Sequence, residues 1–433
     1  MSKFQSVRGM RDFLPADAEK LKYVESVAKE VARLYGFDEV ITPLVEHYEL
    51  LAAKSGEEIK ARMYIFEDLG GRKVALRPEF TASIARLMAT TLRNEPKPLR
   101  LFSSGTLYRY DEPQFGRYRE FWQSNFEIFG TNRPEADVEI LALTNSLLQM
   151  TGLRNYWFKI GHVGILRGLL SEEGVKDEQQ NSVMQLLDAK RWDEALELAK
   201  DFGVSTKGIA VMKEVFGAKG KDASKVLTQV KKKLKEYAGA VEAAENLEQI
   251  VDLCRESGVR FDMIIDAGFA RGLEYYTGMI FEPLIPEMEI SLGGGGRYDK
   301  LIELFGGEPT PAIGVAHGLD RIALAIDKQN IVPEFSKQIV AVIPISDEAI
   351  SKALSIALQL REKGVAVDLE IMGRTVSRAL QDADRRKAVY AVILGPKELK
   401  EGKVVLRNMK DRTQHLISIE NVFEELSKGR GFS

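Results

Sequence analysis

The sequence holds a single cysteine, Cys254, in 433 residues. That excludes an intrachain disulfide framework and a cysteine-based metal site. Histidine is scarce as well: His47, His162, His317 and His415 are scattered without metal-ligand spacing. No run of about 18 apolar residues occurs, and the opening "MSKFQSVRGM" has no apolar signal core. A soluble, cytoplasmic protein without membrane contact is expected. Charge of one sign is also missing, since 61 Lys and Arg stand against 64 Asp and Glu, for a net of −3. No global basic field announces a nucleic acid, although a local basic patch would be enough for one. Apolar residues are plentiful at 45% of the chain, and this length suits two or three domains of ~100–200 residues each.

Residues 17–35 place Leu21, Val24, Val27, Val31 and Leu34 on one helical face, with Pro15 and Asp17 as start signals and Gly36 as the stop. "LRLFSSGTLYR" (99–109) and "YREFWQSNFEIFG" (118–130) read as strands joined by the turn-rich "YDEPQFGR". So short a link demands antiparallel pairing, because a parallel pair needs a crossover of a dozen or more residues. "RFDMIIDAGFA", "EYYTGMIFEPLI" and "EMEISLGGG" read as three further strands with short links, which favours an antiparallel sheet over a doubly wound one. Residues 164–257, rich in Lys, Glu, Ala and Leu, read as an all-helical insertion. Within it "VKKKLKEY" carries Lys231, Lys232, Lys233 and Lys235, which form either a solvated face or a basic strip for phosphates. Beyond the linker "IVPEFSKQ" (331–338) strands and helices alternate, ending in "KVVLRNM" and "QHLISI" as an edge hairpin and a helix near Glu420. The expected fold is α+β: an antiparallel-sheet domain over 1–330 interrupted by 164–257, then a C-terminal α/β domain over 331–433.

Four stretches could carry chemistry. "YRYDEPQFGRYREFWQ" sets Arg109, Arg117 and Arg119 among Asp111, Glu112 and Glu120. That is either a salt-bridged hairpin or an anion site, since the guanidinium fork matches phosphate oxygens. "VALRPEFTASIAR" offers Arg77, Glu79 and Thr81 where a strand meets a helix, as a helix cap or as a holder for an ammonium group. "SLGGGGRYDKLIELFG" ends a strand in Gly293–Gly296, either a flexible turn or a place where backbone approaches a ligand. No Gly-Lys-Ser/Thr follows, so it is not a P-loop. In "PAIGVAHGLDRIALAI", Arg321 falls in the first turn of a helix, where it opposes the dipole unless an anion sits nearby.

"RGLEYYTG" (271–278) is a fifth, lying between apolar runs. Arg271 and Glu274 could neutralise one another there. Strand alternation sends adjacent side chains to opposite faces, so Tyr276 is expected in a pocket and Tyr275 in packing. Arg109, Arg271 and Arg321 on segments of one sheet suit a triphosphate, while carboxylates and phenols suit a polar small molecule. The residues alone therefore point to nucleotide-dependent activation of a small polar substrate.

With these stretches in view, the chain resembles the class II aminoacyl-tRNA synthetases, and within them the histidyl-tRNA synthetases. "YGFDEVITPLVEHYELL" is similar to motif 1, "LYRYDEPQFGRYREFWQ" to motif 2 and "GVAHGLDRIALAI" to motif 3; "RGLEYYTG" and "LGGGGRYD" are similar to the two histidine-specific segments. The resemblance covers nearly the whole length and implies an antiparallel-sheet class II catalytic core with a helical insertion and a C-terminal α/β anticodon-binding domain. It implies L-histidine, ATP with Mg2+, and tRNA(His) as partners, and a homodimer built on motif 1. By residue, it implies Arg109 on the α-phosphate of ATP, Arg321 on the γ-phosphate, and Arg271 on both the α-phosphate and the histidine carboxylate. It further implies Glu79, Thr81 and Gln123 on the histidine ammonium, with Phe80 in the same binding segment, and Glu127, Tyr275, Tyr276 and Tyr298 around the imidazole. Gln114 and Arg117 fall in the loop that meets the tRNA acceptor end. One departure stands out: motif 2 often reads Arg-x-Glu, with the glutamate near the adenine, whereas here Asp111 holds that position and Glu112 follows. A regulatory, non-charging paralogue and a synthetase for another amino acid are the alternatives. The paralogue typically lacks the intact "RGLEYY"-like segment and the anticodon domain, both present here.

Overall fold

The first amphipathic helix runs Pro15–Leu34 and buries Leu21, Val24, Val27 and Val31, with Pro15 in its first turn. It stops where Gly36 takes a left-handed φ of 69°. The computed structural model describes residues 4–53, 57–271, 275–332 and 339–428. Gly272, Leu273 and Glu274 of "RGLEYYTG", and 333–338 of the expected linker, lie outside the described residues. The chain divides into two units, Met1–Pro333 and Glu334–Ser433.

In the first unit the strands are, in chain order, β1 (Asp38–Glu39), β2 (Val45–His47), β3 (Ile65–Glu67), β4 (Lys73–Leu76), β5 (Leu99–Tyr108) and β6 (Glu120–Phe129). They continue with β7 (Trp157–His162), β8 (Lys219–Gly220), β9 (Asp262–Asp266), β10 (Met279–Leu284), β11 (Gly293–Arg297) and β12 (Ala312–Gly318). Among the described residues, nine of them form one sheet in the order β1-β5-β6-β12-β11-β10-β7-β9-β8. β5 and β6 pair antiparallel over their whole length, as the short link between them demands. β6, β12, β11, β10 and β7 continue antiparallel. β2, β4 and β3 form a separate small sheet.

Four expectations are corrected. β9 does not pair with β10; β7 lies between them, and β7 and β9 run parallel. The helical insertion is the crossover that this parallel pair requires, and it also contributes the two-residue strand β8, so it is not entirely helical. Glu287–Ser291 are not a strand; the four glycines are themselves the body of β11. Tyr275 and Tyr276 precede β10, so strand alternation does not govern where they point.

Period-two alternation gives the large sheet two unlike faces. Phe126, Ile128, Val315, Phe281, Phe158 and Ile160 share one face and are buried in the main core. His317 is on the same face, and its Nε2 lies 3.0 Å from Thr144 Oγ1 on the helix Pro134–Met150. The opposite face carries Gln123, Asn125 and Glu127 of β6. Beside them in register lie Gly318, Ala316 and Gly314 of β12, then Gly294 and Gly296 of β11.

In the second unit, β13 (Ile339–Pro344), β14 (Ala366–Leu369), β15 (Tyr390–Leu394), β16 (Lys403–Asn408) and β17 (Gln414–Ser418) form a sheet in the order β14-β13-β15-β16-β17. β13 is parallel to β14 and β15, and β16–β17 is the antiparallel edge hairpin. The helices Asp347–Glu362 and Val376–Arg385 provide the crossovers.

Candidate active site

The polar face of the large sheet floors a cavity of about 900 Å³, a size suited to small-molecule ligands. β11 and β12, in the middle of that floor, present almost no side chain to it. A Cβ on Gly294 would collide with the Arg271 guanidinium, and one on Gly314 with the Glu127 carboxylate. Glycine weakens a strand interior, but here it leaves room for the two charged groups that lie across the sheet.

Arg109, Arg117, Arg271 and Arg321 all line this cavity. Arg109 extends from the end of β5, with Nε donating to Pro78 O at 2.9 Å and the guanidinium 5.2 Å from the Phe121 ring. Arg271 donates to Phe281 O at 3.2 Å and pairs with Glu282 at 3.3 Å; Glu274, the partner considered from sequence, is outside the described residues. Arg321, in the first turn of the helix Leu319–Lys328, donates to Gly116 O at 3.1 Å and to Ser291 O at 2.9 Å. Its pKa is pushed down to about 10, first by burial and then by the cations of Arg117, Arg109 and Arg271. Mutual repulsion among fixed cations is what a polyanion would relieve.

A second cluster surrounds Glu127, 1% exposed. Thr81 Oγ1 donates to its Oε1 at 2.8 Å, Asn125 Nδ2 donates to the same oxygen at 2.6 Å, and Tyr298 OH donates to Oε2. Thr81 is therefore not a helix cap, whereas Glu79 does accept from Ala82 N at 3.1 Å while also lining the cavity. Gln123, Tyr275 and Tyr276 also line the cavity. The Tyr275 and Tyr276 rings are 4.9 Å apart, and Tyr275 meets Tyr298 edge-on at 5.6 Å. Burial raises the pKa of both adjacent phenols, so they stay neutral hydrogen-bonding groups. Tyr275 packs on Tyr276 and Tyr298, and both Tyr275 and Tyr276 line the cavity from the irregular stretch before β10.

Asp111 lines the cavity and pairs with Arg62 at 3.3 Å. Phe80, Glu112 and Gln114, like Arg77, Arg119 and Glu120, are not part of the lining. Phe80 is buried under Arg77, Glu112 is exposed and pairs with Arg8, and Gln114 is exposed in the loop after β5. Among the described residues no group of three or more His, Cys, Asp or Glu side chains is placed to hold a metal ion.

A family model described as histidyl-tRNA synthetase matches residues 9–322, and one described as an anticodon binding domain matches 339–429. The chain belongs to the histidyl-tRNA synthetase family. The histidine–tRNA ligase of Methanocaldococcus jannaschii is 42% identical over 422 residues, which cover 97% of this chain and 98% of that relative. The crystal structure of the histidyl-tRNA synthetase from Nostoc shares the fold, with a TM-score of 0.82 at 24% identity over 99% of this chain and 100% of that one. A Bacillus halodurans structure, titled as an ATP phosphoribosyltransferase regulatory subunit/histidyl-tRNA synthetase, has a TM-score of 0.76 at 26% identity, covering 88% of this chain and 97% of that one.

For this member of the histidyl-tRNA synthetase family, several site residues were not read from the sequence. Asn125 is one, although its place two residues before Glu127 on the same strand face signals it. Phe121 and Glu282 are others, found only through register with neighbouring strands. The N-terminal segment is the least expected. Gly9 O accepts from Arg119 N at 2.8 Å, and Arg11 lies 3.4 Å from the Tyr118 ring centroid while pairing with Asp320. Asp320 also accepts from Trp122 N. This strap ties the motif 2 loop to the helix that carries Arg321.

Proposed function

We infer that the chain joins L-histidine to its cognate tRNA, with ATP as the co-substrate and histidyl-adenylate as the intermediate. The observation that carries this reading is the juxtaposition, in one cavity, of the guanidinium groups of Arg109, Arg117, Arg271 and Arg321 with a buried carboxylate ringed by Thr81, Asn125 and Tyr298. In the first step the histidine carboxylate attacks the α-phosphorus and pyrophosphate leaves. Negative charge grows on the phosphoryl oxygens, so cations already fixed in place stabilise the transition state more than the ground state. Arg109 is assigned to the α-phosphate, Arg321 to the γ-phosphate, and Arg271 to the α-phosphate and the incoming carboxylate together. Arg271 is held from β10 by Phe281 O and Glu282, which suits it to align nucleophile and phosphorus. In the second step the terminal ribose hydroxyl of the tRNA takes the acyl group.

Glu79, Thr81 and Gln123 are assigned to the histidine ammonium, and Glu127, Tyr275, Tyr276 and Tyr298 to the imidazole, with Phe80 assigned to the same histidine-binding segment. A site that hydrogen-bonds a polar side chain rejects apolar analogues by ~10⁴–10⁵, because its own groups would be left unpaired. The adenine contact is assigned to Asp111, with Glu112 further out, and Gln114 and Arg117 to the tRNA acceptor end. Mg2+ is assigned as the counter-ion that ATP brings with it. By domain, 1–330 is the catalytic part with 164–257 inserted, and 331–433 reads the anticodon. A homodimer is supported by apolar residues exposed in and beside the motif 1 segment, among them Ile41 at 91%, Leu44, Val45, Ile65 and Phe66. No helix among the described residues is long and apolar enough to cross a membrane, and a cytoplasmic site of action fits the reaction.

The deciding experiment is amino-acid-dependent exchange of pyrophosphate into ATP. Histidine alone among the amino acids should support it; exchange with another amino acid, or with none, sinks the reading. Arg271→Ala should lower the exchange rate far more than it weakens histidine binding, and near-normal turnover would remove Arg271 from the chemistry.

A further inference from the structure

Tyr276 and Tyr298, assigned above to the imidazole pocket, come from separate segments of chain, and their neighbours in sequence are bonded to one another. Thr277 N donates to Arg297 O at 2.8 Å. The Thr277 hydroxyl donates to Asp299 Oδ2 at 3.1 Å and accepts from Asp299 N at 3.0 Å. Asp299 Oδ1 in turn accepts from Ala312 N at 3.2 Å, and Tyr298 N donates to Ala312 O at 2.7 Å, which fixes this knot to the start of β12.

Arg297 is the buried anchor of the arrangement. Its Nε donates to Asp137 at 3.2 Å, its Nη1 to Thr131 O at 2.9 Å and to Asp299 at 3.2 Å, and its Nη2 to Arg133 O at 3.3 Å and to Asp137. These contacts engage all three guanidinium nitrogens, so this arginine is occupied in holding the protein together. Its aliphatic stem passes over Gly278, where a Cβ would stand 2.9 Å from Arg297 Cδ. Neither Thr277, Arg297, Asp299 nor Asp137 lines the cavity.

We propose that Thr277, locked to Asp299 and Arg297, is a positioning and specificity-determining residue: it fixes Tyr276 and Tyr298 in one register and so sets the pocket's selectivity for histidine. The proposal rests on the histidine-pocket reading given above. It also gives a physical reason for the "TG" that closes one histidine-type segment and the "RYD" that closes the other. The two form a single joint, and a change in one misplaces a tyrosine of the other.

The test is Thr277→Val, which keeps the shape and removes the hydroxyl, beside Thr277→Ser, which keeps the hydroxyl. In pyrophosphate exchange Thr277→Val should raise KM for histidine roughly tenfold, the scale of one lost hydrogen-bonded contact, with KM for ATP and the thermal midpoint near wild type. Thr277→Ser should return KM for histidine to within about twofold of wild type on the same scale. Asp299→Asn, which keeps the volume, should repeat the histidine-selective defect. An unchanged KM for histidine in Thr277→Val, or a rise in both KM values together with a lower midpoint, overturns the positioning role. If the wild-type protein itself shows no histidine-dependent exchange, the histidine-pocket reading falls first and the positioning proposal with it.

Discussion

A methyl group on Gly314 would collide with the carboxylate of Glu127. Glu127 could yield only by leaving Thr81, Asn125 and Tyr298, all of which donate to it. Gly314→Ala should therefore cost ~1–3 kcal/mol of histidine binding, the usual scale for an overpacked site, read as a raised KM for histidine in exchange; an unchanged value would show that the carboxylate has room to move. The arginines of the site were legible in the sequence because a cation in a first helical turn, or between apolar runs, is anomalous wherever it occurs. Arg297 was not, since it reads as an ordinary strand-end charge until Asp137, far away in sequence, is seen beside it. The setting of Tyr275 was not legible in the alternation of a strand, because both tyrosines stand ahead of β10.

At the scale of elements, the strap formed by the residues before the first helix stands apart from the periodic structure. It has no helical or strand pattern to read, and its partners lie on the motif 2 loop and on Asp320. Arg11→Ala should loosen that loop against Arg321 and raise KM for ATP about tenfold, the scale of a lost charged hydrogen bond, with KM for histidine little changed. Equal rises in both would make the strap a general support only. The lysine strip has also acquired a definite setting. Lys231 pairs with Glu248 at 2.6 Å and Lys233 with Glu214 at 2.9 Å, so the solvated-face reading gains over the phosphate strip. Reversing Lys231 and Lys233 to glutamate should leave KM for tRNA unchanged in aminoacylation, and a clear rise would restore the strip as a tRNA contact. The antiparallel β5–β6 pair and the alternating C-terminal unit were readable from link length and period. The order of β7, β9 and β10 was not, because nothing local to those strands announces a crossover through the whole insertion.

For the molecule as a whole, two histidines link folding to pH. Burial pushes the pKa of His317 down to about 3 and that of His162 down to about 4, from an ordinary value of ~6.5. A depressed folded-state value means that the unfolded chain binds more protons in the window between. Their contribution to stability is thus complete above pH ~6.5 and is lost as pH falls through 4 and 3. The thermal midpoint should decline across that window, and His317→Gln, which cannot take up the proton, should flatten the decline. An equally steep loss in that variant would assign the acid sensitivity to other groups. The homodimer assignment is checked at the same scale: Ile41→Asp should shift the species seen by sedimentation toward monomer and depress exchange, and an unaltered mass would move the interface elsewhere.

β6 ends at Phe129, and the strand that pairs beside it, β12, begins at Ala312. The insertion and four further strands of the same sheet, β7, β9, β10 and β11, are made in the interval. On a ribosome adding ~5–20 residues per second, Glu127 is synthesised well before Gly314 exists to lie next to it. The floor of the cavity can close only after nearly all of the first unit has emerged. A chain stalled within the insertion would thus hold the motif 2 arginine and the pocket carboxylate yet have no site, which ties the first appearance of ligand binding during synthesis to the release of β12.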